Sequence, residues 1–262
     1  MNILDEIIAH KKEEVAERKI SVPLKELLQN ENLLRYGFSL KTALLQPGSL
    51  GIIAEFKRKS PSKGFINFNA DVKEITKGYT ENGASSLSVL TDTIFFGGNT
   101  EDLLIARKNK IPILRKDFII DEYQLYESKI MGADVILLIA ACLGEHAVKQ
   151  LASRAKTLGL EVLLEVHDES ELDKLCDEVD IVGINNRDLK TFRVDIERSI
   201  YLAEKIPEGM LKISESGIDS IETVIALREA GFKGFLIGEQ FMKMQDPVET
   251  FKHFVNQLQE IY

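Results

Sequence analysis

Glu55 and Lys57 stand two residues apart at the end of a short apolar run, Ile52–Lys57 (IIAEFK). Polar groups of the same kind close later runs: Arg115, Lys116 and Asp117; Glu165; Asn185, Asn186 and Arg187; Glu215 and Ser216. If each run is a strand, residues of equal parity share a face. Glu55 then aligns with Lys57, Glu215 with Ile213, and Arg187 with Asn185 and Gly183. Burying one unpaired charge is strongly unfavourable, so such a cluster is either mutually paired at a rim or put to use on a ligand. A second signal suits an anion. Ser216 and Gly217 (ESG) close one run, and Gly238 and Glu239 (IGE) close another. Glycine there lets a ligand approach backbone N–H groups, and GEQFMKM can begin a short helix whose N-terminus favours negative charge. The loop RKSPSKGFINFNA carries Arg58, Lys59 and Lys63 together with Pro61 and Gly64, and reads as a lid for an anionic ligand or as a solvated charge run. Phe95 and Phe96 follow another run; one is expected to stack at a mouth and the other to join the core.

These groups need a scaffold that gathers strand ends. Eight apolar runs recur: 52–57, 85–90, 112–117, 134–140, 161–166, 181–186, 211–216 and 234–239. Their starts lie 20 to 33 residues apart, room for a strand and a crossover helix, as parallel pairing requires. Amphipathic patterns fill the gaps, among them 145–158, 219–230 and 247–261. Gly83, Gly132, Gly159 and Gly231 stand where helix C-caps fall. Eight strands alternating with eight helices predict an α/β fold, a (β/α)8 TIM barrel, with its site at the strand C-termini. A doubly wound open sheet fits less well, because no two glycines are separated by a single residue as a dinucleotide fingerprint needs. The reading is one domain: a barrel over 51–262 and an N-terminal helical extension over 1–50. In that extension Ile3, Leu4, Ile7, Ile8 and Val15 recur at helical spacing, with Asp5, Glu6, Lys11 and Lys12 on the other face. A second amphipathic stretch spans 24–34.

Composition narrows the function classes. The chain has 262 residues, 44% hydrophobic and 29% charged, which is globular and soluble in character. Its net charge of −9 disfavours nucleic acid as a bulk partner. No apolar run nears the roughly 20 residues of a membrane span. The charged N-terminus lacks the apolar stretch of a secretory signal. Cys142 and Cys176 have no metal or disulfide pattern, which suits a cytoplasmic location. The four histidines show no metal-ligand spacing, so no metal site is expected. Asp168 reads as a helix cap, with Glu171 completing a capping box.

The strand-end motifs, in this order, resemble those of the indole-3-glycerol phosphate synthase family. They are IIAEFKRKSPSKG (52–64), SVLTD (88–92), IPILRKDFI (111–119), GADVILLI (132–139) and LEVHDESEL (164–172). GINNRDL (183–189), ISESGI (213–218) and FLIGEQFM (235–242) complete the series, and ILDEIIAHKKEEVAERK resembles the family's extra N-terminal helix. The resemblance implies a carboxy-lyase of tryptophan biosynthesis without a cofactor. It would close the ring of 1-(2-carboxyphenylamino)-1-deoxyribulose 5-phosphate, giving indole-3-glycerol phosphate, CO2 and water. By resemblance Lys116 is the general acid, Glu165 the general base, and Lys57 an anion-gripping residue that can also donate in dehydration. Glu55 and Asn185 would orient the substrate, with Glu215 and Arg187 supporting the charged site. Ser60 and Phe96 are further substrate contacts, and the backbone at Ser216–Gly217 and Gly238–Glu239 would hold phosphate. Departures are Asn99, where the family often has Ser, and Gln240 in the IGE segment. The extension is expected to lie across the mouth, so that removing residues 1–45 weakens binding more than it unfolds the barrel. Lys116, with apolar Ile113 and Leu114 behind it, is expected to have a lowered pKa. We expect a monomer acting on a small phosphorylated molecule. Rivals are an isomerase on the same barrel, for which neither cysteine is placed suitably, and a non-catalytic ligand sensor.

Overall fold

The computed structural model describes residues 3–188 and 192–262. Leu189, the last residue of GINNRDL, lies outside the described residues. Eight parallel strands close into a barrel in sequence order. They are β1 (Ile52–Phe56), β2 (Ser86–Leu90), β3 (Ile113–Lys116), β4 (Val135–Ile139), β5 (Glu161–Val166), β6 (Ile181–Asn185), β7 (Leu211–Glu215) and β8 (Gly234–Ile237). Runs such as VILLI and FLI, buried on both faces, are what strands enclosed by helices require. The eight expected strands all form, β5 with the expected bounds and the others shorter by one or two residues.

The helices, most of them packed outside the barrel, are α1 (Ile3–Ser21), α2 (Leu24–Leu27), α3 (Leu40–Leu45), α4 (Val72–Glu81), α5 (Thr100–Ala106), α6 (Glu122–Met131), α7 (Glu145–Thr157), α8 (Ile196–Ala203), α9 (Ile221–Glu229), α10 (Glu239–Met242) and α11 (Pro247–Gln259). Side-chain oxygens of Asp71, Asn99, Asp121, Asp195, Ser220 and Asp246 cap six of them by accepting backbone N–H bonds. The four glycines assigned to helix ends all have positive φ. Two apolar layers result, one between strands and helices and one inside the barrel. Among the described residues no helix is long and apolar enough to cross a membrane.

Three features depart from the sequence reading. The β5–β6 connection, the shortest of the seven, forms a 3-10 turn over Glu169–Lys174 instead of an α-helix. Asp168 does cap it, accepting from Ser170 N, but Glu171 accepts from His167 N and closes no capping box. The second departure is Lys11. It is fully buried, not solvated, because it falls on the Ile7–Lys11–Val15 stripe that α1 turns inward. Its ammonium meets Asp92 at 3.0 Å and Asp117 at 2.9 Å, both at strand ends, which compensates the burial. The third is α3, which sequence reading passed over. Leu40 and Leu44 enter the inner core beside Ile53, Leu114, Leu163 and Ile213. Ser39 caps α3, and Ser39 Oγ and Leu40 N both donate to Glu161 at the start of β5. The extension therefore runs from the barrel's mouth to its floor. The stretch 24–34 between them is broken into α2 and a 3-10 turn at Glu31–Leu34, with no buried residue in either.

Candidate active site

Strand register puts the polar ends at one level. Glu55 pairs with Ser88, Leu90 with Lys116, Ile139 with Glu165, Glu165 with Gly183, and Asn185 with Glu215. Below them the inward positions are apolar; above them opens a cavity of about 540 Å3. All thirteen residues singled out in the sequence line it: Glu55, Lys57, Ser60, Phe96, Lys116, Glu165, Asn185, Arg187, Glu215, Ser216, Gly217, Gly238 and Glu239. α1 covers one side, contributing Ile3 and Ile7. The loop after β1 folds into a hairpin, Lys59–Ser60 against Gly64–Phe65, whose tip lends Pro61, Ser62 and Lys63 to the lining.

The cations are paired and in the cavity at once. Lys57 Nζ lies 2.5 Å from Glu55. Lys116 Nζ lies 3.1 Å from Glu165 and 3.5 Å from Glu215. Lys63 and Arg187 meet Glu239 at 2.5 and 3.6 Å. Two glycines make room for the carboxylates. A Cβ on Gly183 would fall 2.2 Å from Glu215 Oε1, and one on Gly238 would fall 2.4 Å from Glu55 Oε1. Asn185 Oδ1 accepts from Arg187 N, which turns the chain after β6 back over the mouth. Ser216 and Gly217 both have φ of 67°, a left-handed turn held by Asn186 Nδ2, which donates to Ser216 O at 2.6 Å. Gly238 starts the short α10 anticipated from GEQFMKM.

Proton affinities follow from this packing. Burial alone would lower the Lys116 ammonium, but Glu165, Glu215 and Glu55 outweigh it and push it above its ordinary value. The expected lowering is thus corrected: the apolar wall is real, yet three carboxylates from other strands face the nitrogen. Glu165 is pushed up by burial but held well below the usual range by Lys116 and His167. Glu215, buried beside Glu165 and Glu55, goes the other way and rises to about 8. Two carboxylates sharing one ammonium are therefore split into an ionised one and one that retains its proton.

Other expectations need revision. Neither Phe95 nor Phe96 is core; both are half-buried, Phe95 edge-on to His10 of α1 and Phe96 near Phe118. Of the loop's basic residues Arg58, Lys59 and Lys63, only Lys63 lines the cavity. Arg58 grips Asp102 of α5 through two bonds and Lys59 donates to Ile94 O, so these two anchor the loop. Asn99 caps α5. Sequence reading missed Phe118 and Lys11, and set aside His167. Parity could have found the last, since His167 is two residues beyond Glu165. Among the described residues no group of three or more His, Cys, Asp or Glu has the arrangement to hold a metal ion.

Comparison with known proteins covers nearly the whole chain. The family model described as indole-3-glycerol phosphate synthase matches residues 4–254. A Bacteroides thetaiotaomicron protein named indole-3-glycerol phosphate synthase is 50% identical over 259 residues, covering 98% of this chain and 99% of its own. Relatives of the same name from Caldanaerobacter subterraneus subsp. tengcongensis and Polaromonas sp. are 48% and 44% identical. They cover 93% and 94% of this chain, and 94% and 95% of their own. On the barrel, the ionic mouth and a match over nearly the whole length, the chain belongs to the indole-3-glycerol phosphate synthase family.

Proposed function

We propose that this mouth converts 1-(2-carboxyphenylamino)-1-deoxyribulose 5-phosphate to indole-3-glycerol phosphate, with loss of CO2 and water. The observation that carries the reading is Lys116 held at the mouth between two buried carboxylates, 3.1 Å from Glu165 and 3.5 Å from Glu215. An aromatic carbon of the substrate attacks the sugar carbonyl carbon, and the carbonyl oxygen takes its proton from Lys116. The ring carboxylate leaves as CO2, and the electrons of the broken C–C bond restore the ring. The hydroxyl then leaves as water with a proton from Lys57, while Glu165 removes the C–H proton that completes the second double bond. Lys57 also grips an anionic end of the substrate. Glu55 orients Lys57, and Asn185 orients Glu165 and the chain at Arg187.

The phosphate belongs at the opposite lip, on the backbone of Ser216–Gly217 and Gly238–Glu239. Arg187 and Lys63, now on Glu239, are within reach to join it. Phe96 and Phe118, with centroids 6.0 Å apart, offer an aromatic wall for the anthranilate ring. One chain supplies every group named, so we read a monomer as the working unit. Incubating the protein with the deoxyribulose phosphate and following indole fluorescence tests the reaction; binding without product would leave a ligand sensor instead. Glu165→Gln keeps size and polarity but removes basicity, and is expected to lower kcat by about 10²–10⁴ with KM little changed. A folded variant keeping more than about a tenth of wild-type kcat would remove Glu165 from the base role.

A further inference from the structure

His167 follows β5 directly, buried behind Glu165 and outside the cavity lining. Its Nε2 lies 3.3 Å from Glu165 Oε1, while Lys116 occupies the other oxygen, Oε2, at 3.1 Å. Each oxygen of the carboxylate thus faces its own nitrogen. The imidazole is held from the far side. Glu171 Oε2 lies 3.5 Å from its Nδ1 and accepts from its backbone N at 2.6 Å. Arg198 of α8 donates to its carbonyl at 2.5 Å.

Lys116 cannot give its proton to a substrate oxygen and keep its full hold on Glu165. As it engages the substrate, the carboxylate loses one of its two cationic partners inside a buried site. A carboxylate left without a cation there takes up a proton, and an occupied base abstracts nothing. A second cation that never touches the substrate prevents this.

We propose that His167 is a positioning residue that keeps Glu165 ionised and oriented while Lys116 is turned to the substrate. The proposal rests on the reading of Glu165 as the base. The charged groups facing the ring are Glu165 from β5, Glu171 from the 3-10 turn and Glu215 from β7, with Asp168 adjacent in sequence. Arg198 reaches only its carbonyl, and Lys116 lies beyond Glu165. Burial pulls the imidazole down, but Glu171, Glu165 and Glu215 outweigh it, so the ring holds its proton above its ordinary range. That charge is what the role requires.

Steady-state kinetics from pH 3 to 9, at a temperature where every protein is folded, on the wild type, His167→Gln, Glu165→Gln and the double variant decide the matter. His167→Gln keeps a polar amide near Glu165 but carries no charge. It should lower kcat while leaving KM nearly unchanged, and move the acid limb of kcat upward by about one pH unit. The double variant should be no slower than Glu165→Gln, because both changes act on one group. An unmoved acid limb, with Glu165→Gln inactive, overturns the role of His167 and leaves Glu165 as base. A Glu165→Gln protein with near-wild-type turnover overturns both. If His167→Gln fails to fold, nitrogen NMR of the wild-type histidine rings replaces it: His167 should titrate above about 6.5, and titration at or below that value sinks the proposal.

Discussion

Lys116 serves two buried carboxylates, and what happens when it is removed separates its chemical role from its structural one. Lys116→Met preserves the apolar stem and deletes the charge. Glu165 and Glu215 are then left facing each other in the barrel with no ammonium between them, and like charges in so small a space cannot both ionise. At least one carboxyl will carry a folded pKa further above its unfolded value. A carboxyl raised in that way loses stability as pH climbs from the unfolded pKa towards the folded one, because the folded state then binds more protons. Lys116→Met should lower turnover by about 10²–10⁴, and its Tm should fall more steeply between pH 5 and 8 than that of the wild type. Near-normal turnover in a folded variant would contradict the acid role. The residue itself was legible: an ammonium at a strand C-terminus in an apolar run is conspicuous. Its proton affinity was not, because the groups that set it stand on β5, β7 and β1, and their convergence exists only once the barrel closes.

At the scale of elements, the N-terminal segment is two devices joined by an exposed strap. α1 is a side wall of the mouth, pinned by Lys11 on Asp92 and Asp117 and lending Ile3 and Ile7 to the cavity. α3 is a plug in the floor, with Leu40 and Leu44 buried in the inner core. Removing residues 1–45 would therefore take away both, and the expectation that the barrel survives that cut does not follow from the structure. Two truncations separate the effects. A chain beginning after Ser21 should fold and show a raised KM; one beginning after Leu45 should lose most of its cooperative thermal transition. Leu40→Ala alone should cost about 2–5 kcal/mol by leaving a hole under the barrel. Equal stability of the two truncated chains would refute the plug. The strands could be read from the sequence as apolar runs recurring at regular spacing, and most crossover helices because each repeats its period over two turns or more. α3 could not, since six residues make fewer than two turns and offer one apolar repeat. Lys11 was misread for a different reason. A lysine in a charged helix looks solvated, and its partners Asp92 and Asp117 lie just past the ends of β2 and β3, far along the chain.

Over the whole molecule, the titrating groups divide into two sets that pull stability in opposite directions with pH, and their sum locates its maximum. Asp117 belongs to the first set. It is pushed up by burial, but Arg115 and Lys11 hold it well below the usual carboxylate range, and Glu165 is likewise depressed. A depressed carboxyl contributes stability above its unfolded pKa, near 4, and that contribution is lost as pH falls through the folded value. Glu215 and His167 form the second set. Both have folded pKa values above their unfolded ones, so their contributions favour the folded state at lower pH and fade as pH rises. The net charge of −9 at pH 7 adds self-repulsion in the same direction, since raising pH only deepens it. Only near pH 4 to 4.5 is neither lost, because the Glu215 contribution fades as pH climbs above its unfolded pKa and that of His167 fades above about 6.5. The protein should therefore be most stable on the acid side of neutrality, with a Tm at pH 5.5 above that at pH 8 and a steep fall below pH 4. Each flank has its own control. Glu215→Gln should flatten the alkaline slope and leave the acid one. Asp117→Asn should lower stability at neutral pH, because Lys11 and Arg115 lose a buried partner, and should make the acid fall shallower. Scanning calorimetry of the three proteins from pH 3 to 8 measures both slopes. A Tm that rose steadily from pH 5.5 to 8 would mean that Glu215 is ionised in the folded barrel, and with that the division of labour between the two carboxylates on Lys116 would fall.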